Sequence, residues 1–317
     1  MNRVLNLKNI KYFIGLAAFY GIVQILIFTN ILSDYYQVTM TTICINIILA
    51  VSLNLITGFT GQFSLGHAGF MSLGAYTCAL ITLHISEQYS FFIGVFAGAL
   101  VAALVGFLIG IPTLRLRGDY LAIATLGLSE IIRIIILNFD FTGGASGLSG
   151  IPQYTNWTWL FIFTAATVII IKNFINSSHG RACISIREDE IAAESMGINV
   201  TKYKVMAFVI GAFFAGIAGA LYSSYFYFIK PDLFGFLKSI DILVIVVLGG
   251  MGSISGSILA SVLLAIVSTY LQAFPELRMV IYSLLLLIMM IFRPKGLMGT
   301  KEFRLDDFFR KKPIKVK

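Results

Sequence analysis

Of the 317 residues, 58% are hydrophobic and 12% charged, and the mean hydropathy is +0.90. Soluble domains hold about 45–50% apolar residues, so this composition excludes a fold whose main solvent is water. The net charge of +8 needs no nucleic-acid partner, because a basic end such as RKKPIKVK suits the anionic face of a lipid bilayer.

A hydrocarbon core takes around 20 apolar residues per helix, and the long Leu-, Ile-, Val- and Phe-rich runs meet that need. A membrane barrel would instead show alternating segments of about ten residues. The expected fold class is an all-α integral membrane protein, a polytopic helical bundle of about ten transmembrane segments with Gly-broken helices. One membrane domain is expected over 1–317, its transmembrane core over about 12–292. The apolar runs place spans near 12–32, 38–56, 64–85, 90–112, 119–138, 157–174, 204–229, 237–250, 254–273 and 279–292. The first run is too long for a secretion signal and lacks a small-residue exit, so it reads as an anchored helix.

Two polar connections are longer than turns. Residues 138–156 lack Lys and Arg and carry TGGASGLSGIP, which predicts an external loop, whereas the charged stretch 176–204 predicts a cytoplasmic one. Lys and Arg gather on the cytoplasmic side of membrane proteins. Here Arg3, Lys8, Lys11, Arg115, Arg117, Lys172, Arg181, Arg187, Lys202, Lys204 and the basic tail 293–317 fall on one side of the proposed course. Only Lys230, Lys238 and Arg278 fall on the other, and both termini are therefore expected in the cytoplasm.

Little in the chain carries enzyme chemistry. Cys44, Cys78 and Cys183 are scattered without metal-ligand spacing, the three histidines lie in different segments, and neither H-E-x-x-H nor G-x-S-x-G occurs. There is also no G-x-x-x-x-G-K-[ST] phosphate loop. No catalytic residue, metal site or bound cofactor is expected in this chain.

The block GFTGQFSLGHAGFMSLGAY, Gly58 to Tyr76, sets Gly58, Gly61 and Gly66, with Gln62 and His67, into a membrane-like run. Glycines there either break a helix beside a sheltered cavity or let two helices pack closely. His67 is read first as a packing hydrogen-bonder, with a pathway group as the alternative. A second break, LGGMGSISGS with Gly249 and Gly250, hints at duplicated architecture around a central site. Glu130 and Arg133, at i and i+3 on the fifth span, share a helix face and are expected to pair, since an unpaired charge at mid-bilayer costs at least ~2.5–3.5 kcal/mol. They serve either a translocation path or a structural lock. In the cytoplasmic stretch a short helix is predicted from about Arg187 to Met196, ending at Gly197, with Ile184, Ile191, Ala192 and Met196 as an apolar edge.

In order, the blocks Gly58–Tyr76, LRLRGDYLAIATLGLSEIIR, TGGASGLSGIP, the Ala192–Gly197 loop, LGGMGS and RPKGLMG resemble the LivM-type permease family of branched-chain amino-acid ABC importers over roughly residues 40–299. The resemblance implies a bacterial inner-membrane permease that works with a homologous LivH-type permease, two cytoplasmic ABC ATPases and an extracytoplasmic substrate-binding protein. ATP and Mg would be bound by the ATPases. It implies a coupling helix that docks into an ATPase groove, with Glu190, Ala192, Ala193 and Gly197 at the matching positions. Here the order is Glu-Ile-Ala-Ala where the family pattern has Glu-Ala-Ala. Urea and short-chain amide permeases resemble the same blocks, and a proton-coupled secondary transporter using Glu130 is a further alternative.

Overall fold

The computed structural model describes residues 7–29, 32–85, 87–114, 116, 118–271 and a few positions beyond, namely 274, 280, 281, 284, 287, 288, 291–293 and 296–299, with backbone only for 7–14. The described residues are almost entirely helical. Helix α1 covers Leu7–Phe28, α2 Asp34–Asn54, α3 His67–His84, α4 Gln88–Thr113, α5 Asp119–Asn138 and α6 Trp157–Asn176. Two short helices follow, α7 over Ser178–Glu188 and α8 over Glu190–Ser195. Then come α9 over Val200–Phe226, α10 over Phe236–Gly249 and α11 over Ile254–Tyr270.

Helix α2, extended by a π-helical turn over Leu55–Phe59, is buried along its second half from Cys44 onward and packs against α6, α9, α10 and α11. A second tight core joins α3, α4 and α9, and small residues create it. A Cβ on Gly74 would lie 2.0 Å from the Gly216 carbonyl oxygen, and one on Gly219 would lie 1.9 Å from that of Met71. Among lipid-like tails the hydrophobic effect gives little reason for helices to associate, so backbone-to-backbone contact supplies the dispersion energy. Phe70 and Phe208 fill the same seam edge to face, with ring centroids 5.4 Å apart.

Helix ends alternate between two ends of the bundle. Residues 55–66, the α7–α8 unit and residues 250–253 meet at one end, while residues 139–155 and 227–235 meet at the other. The Gly-rich stretch at the second end is ordered: Leu148 and Ser149 (β1) pair antiparallel with Ile229 and Phe228 (β2). Gly143, Gly144, Gly147 and Gly150 all have positive φ, and at Gly147 a side chain would strike the Ile229 carbonyl at 2.2 Å.

One expectation is met in part and another changes. Among the described residues, five helical stretches are long and apolar enough to cross a membrane: Asp34–Phe59, Gln88–Thr113, Asp119–Asn138, Trp157–Asn176 and Val200–Phe226. Shorter apolar helices run over Gly15–Phe28 and Ile254–Tyr270. Helix α10 has 14 residues, about 21 Å of rise, because Gly250 at φ +112° ends it. Half of the tenth expected span, 279–292, lies outside the described residues, and the tail from 300 onward lies wholly outside them. The predicted helix Arg187–Met196 is also two helices. Asp189 turns to φ −157°, ψ +111°, and its carboxylate caps the amides of Ile191 and Ala192 at 2.9 and 3.0 Å, starting α8 afresh.

Candidate functional site

The two glycine-rich breaks, nearly 200 residues apart in sequence, touch each other. Asn54, the last residue of α2, donates through Nδ2 to the Ser253 carbonyl and the Ser257 hydroxyl, each at 2.9 Å. Its Oδ1 accepts the Gly252 amide at 2.8 Å. A Cβ on Gly58 would lie 1.8 Å from that Oδ1 and 2.3 Å from the Gly252 nitrogen, so only glycine lets the chains come this close. Gly61 at φ +74° turns the chain out of the π-helical segment, and Gly252 at φ +91° turns it into α11. The end of the KGLMG block joins them: the amides of Leu297 and Met298 donate to the carbonyls of Leu248 and Gly249 at 2.9 and 3.2 Å, capping α10.

Gly66 plays a different part. Its φ is negative, and it is glycine because a Cβ would lie 2.5 Å from the Thr125 carbonyl of α5. Gly249 likewise packs, its Cβ position 2.5 Å from the carbonyl of Gly256 across the α10–α11 turn. Gly61 and Gly252 thus turn the chain, while Gly66 and Gly249 allow close packing. His67 begins α3 almost fully buried and bonds the Ser52 hydroxyl through Nε2 at 2.8 Å. Its Nδ1, both amide atoms of Gln62, the Ser129 hydroxyl and the Tyr76 hydroxyl have no hydrogen-bond partner among the described residues. A buried polar group without a partner costs about 1–3 kcal/mol, so these atoms mark where a further polar group would be most welcome. The grooves between α1, α2, α6 and α11 are lined mainly by apolar side chains such as Phe19, Met40, Ile43 and Val262, with the buried Nε1 of Trp157 as a further polar atom without a partner among the described residues.

The α7–α8 unit is a small folded body. Ile186, Ala193 and Val200 form its core, with Ala193 4% exposed. Glu190 turns inward, its carboxylate accepting from the ammonium of Lys204 on α9 at 2.7 Å. Gly197 at φ +83° closes α8 and opens the turn into α9. What remains outward is Ala192 with Ile191 (70% exposed) and Met196 (83% exposed), beside the exposed Glu188 and Glu194. Of the four predicted coupling residues, Ala192 alone belongs to the outward face of α8; Ala193 and Glu190 hold the unit to the protein and Gly197 shapes it. Cys183 is buried in α7, and burial pushes its thiol up to about 11 despite the opposing hydrogen bond from Thr60.

At the opposite end the predicted Glu130–Arg133 pair forms, Arg133 Nε donating to Glu130 at 2.7 Å. The network reaches further than the sequence indicated. Arg133 Nη1 also meets Asp232 at 3.2 Å, and Glu130 accepts the Phe236 amide at 3.2 Å. The charges thus staple α5 to the connection that enters α10, and they satisfy one another. Replacing Glu130 by Gln is expected to lower stability by about 1 kcal/mol, since the pair is partly solvated. A thermal melt in detergent checks this, and an unchanged midpoint would remove the staple from the account.

Sequence reasoning passed over Asn54, Gly252, Ser253, Ser257, Lys204 and Asp232 as site residues. Asn54 carried a signal, an amide inside the apolar run AVSLNLITGF, and Lys204 was a charge at the head of a span. Their partners lay too far away in sequence to be paired by spacing.

Apolar helices of span length, two helix breaks in contact and a folded polar unit bound to that contact define a polytopic membrane protein of the transporter class. A family model described as "Branched-chain amino acid transport system / permease component" matches residues 35–290. The chain belongs to this family of permease components. It is 39% identical to the high-affinity branched-chain amino acid transport system permease protein LivM of Salmonella typhimurium, over 82% of this chain and 68% of that one. It is 26% identical to the LivH permease protein of Escherichia coli, over 80% and 91%, and 32% identical to the BraD permease protein of Pseudomonas aeruginosa, over 53% and 55%. No solved structure matches the chain.

Proposed function

We propose that this chain is the LivM-type permease subunit of an ATP-driven importer that brings leucine, isoleucine and valine into the cell. Its partners are a LivH-type permease, two cytoplasmic ATPases that bind ATP and Mg, and an extracytoplasmic binding protein. Both termini and the α7–α8 unit face the cytoplasm, in keeping with the distribution of Lys and Arg. The observation that carries this reading is the outward apolar face of α8, Ile191, Ala192 and Met196, on a unit rooted at the contact of the two helix breaks. Such a body gives a partner an amphipathic helix to seat in a groove.

Mechanistically, closure of the ATPases draws the α7–α8 unit of this chain and its counterpart on the second permease together. Rigid helices then swing between an outward-open and an inward-open arrangement. The glycine contacts suit such sliding, because backbone surfaces without side chains present low barriers. The chain supplies the passage and no chemistry of its own; it lines one side of a cavity shared with the second permease. Extraction in mild detergent followed by mass identification of co-eluting chains, with uptake of labelled leucine and urea by proteoliposomes, tests the reading. ATPases and ATP-dependent leucine uptake are expected; leucine uptake that persists without ATP and collapses with a proton uncoupler would replace it with secondary transport.

A further inference from the structure

The geometry points to Arg187 as the strut that carries motion of the α7–α8 unit to the junction of the two broken helices, a positioning residue for transport. The inference rests on the proposed ATPase docking of α8. Arg187 is the penultimate residue of α7, and its guanidinium reaches from the α7–α8 unit to the end of the π-helical segment that extends α2. Nη1 donates to the Gly58 carbonyl at 2.9 Å, one of the carbonyls left over where the π-helical end of α2 stops. A cation there also meets the negative end of the helix dipole.

Three features fix the arginine in place. A Cβ at Gly61 would lie 3.1 Å from Arg187 Cγ, and one at Gly252 would lie 2.7 Å from Nη1, so both breaks leave room for this side chain by being glycine. On its outer side Nε and Nη2 are held by the carboxylate of Glu188, Nε at 3.1 Å. Asn54, one turn before Gly58, then ties the same junction to Gly252, Ser253 and the start of α11. Displacement of α7 therefore acts at once on the end of α2 and the beginning of α11.

The unit's other attachments, Glu190 to Lys204 at the near end of α9 and the packing of Gly180 on Ile175 at the end of α6, reach helices that are not interrupted there. Tension through either would shift one helix as a whole. Tension through Arg187 acts where two helices are already interrupted, the place with the least resistance to bending. An arginine suits the role better than lysine, because its rigid fork bonds Glu188 and Gly58 at the same time.

The test uses the full importer in proteoliposomes and measures labelled leucine taken up per ATP hydrolysed. Arg187→Gln is expected to retain co-purifying ATPases and ATP hydrolysis while uptake per ATP falls about tenfold, the fold-change that loss of one charge-assisted hydrogen bond amounts to. An unchanged ratio would overturn the strut. If Arg187→Gln does not assemble, Arg187→Lys is read in its place: a reduced ratio supports the strut, and a normal ratio or failed assembly assigns Arg187 to folding alone. A wild-type complex without ATPases or ATP-dependent uptake would instead overturn the functional reading beneath it.

Discussion

Gly219→Val is expected to prevent the bundle from forming. The first added carbon would stand 1.9 Å from the Met71 carbonyl and 2.9 Å from the Ala75 nitrogen, both backbone atoms of α3 that cannot swing away. Helices α3 and α9 would have to separate, opening the seam filled by Phe70 and Phe208. Overpacking commonly costs about 1–3 kcal/mol where side chains can yield, and here none can, so the loss lies at or beyond the upper end. Size-exclusion profiles in detergent should turn from one sharp peak to aggregate. Gly21→Ala in α1, where nothing lies within 4 Å, should leave the profile as it is; equal behaviour of the two variants would contradict the packing account.

Ala192→Arg and Ala193→Arg are expected to fail in different ways. Ala192 is exposed on α8 between Ile191 and Glu194, so an arginine there projects outward and leaves the local fold intact. ATPases should no longer co-purify and uptake should fall at least about tenfold, because a bulky charge at an interface centre removes a hot-spot contact. Ala193 sits in the small core with Ile186 and Val200. An arginine at that site would bury an unpaired charge and undo the α7–α8 unit itself. Proteolysis of purified protein separates the two outcomes: new cleavage within residues 178–199 is expected for Ala193→Arg and absent for Ala192→Arg.

Much of the fold could be read from the sequence because the bilayer imposes a period and a length. The fifth span falls where expected, at 119–138, and α6 and α9 differ by a few residues at their ends. Helix α10, expected at 237–250, runs over Phe236–Gly249 and is as short as its apolar run, whereas the pattern gave no means of seeing which neighbours the glycines of α3 meet. In the site, Glu130 and Arg133 were paired by helical spacing alone, whereas Asp232 joined them from a connection 99 residues on. The coupling loop shows the same division. An acidic residue at 189 reads equally as helix interior or cap in a sequence; only the fold makes it the cap, and only the fold turns Glu190 toward Lys204.

Side-specific labelling at residue 196 bears most directly on the account. Met196→Cys places a thiol at a position 83% exposed, while Cys44, Cys78 and Cys183 are buried and should stay dark. A membrane-impermeant maleimide is predicted to label this variant in inverted membrane vesicles and leave it unlabelled in intact cells. Labelling in intact cells would put the α7–α8 unit outside, beyond the reach of any cytoplasmic ATPase.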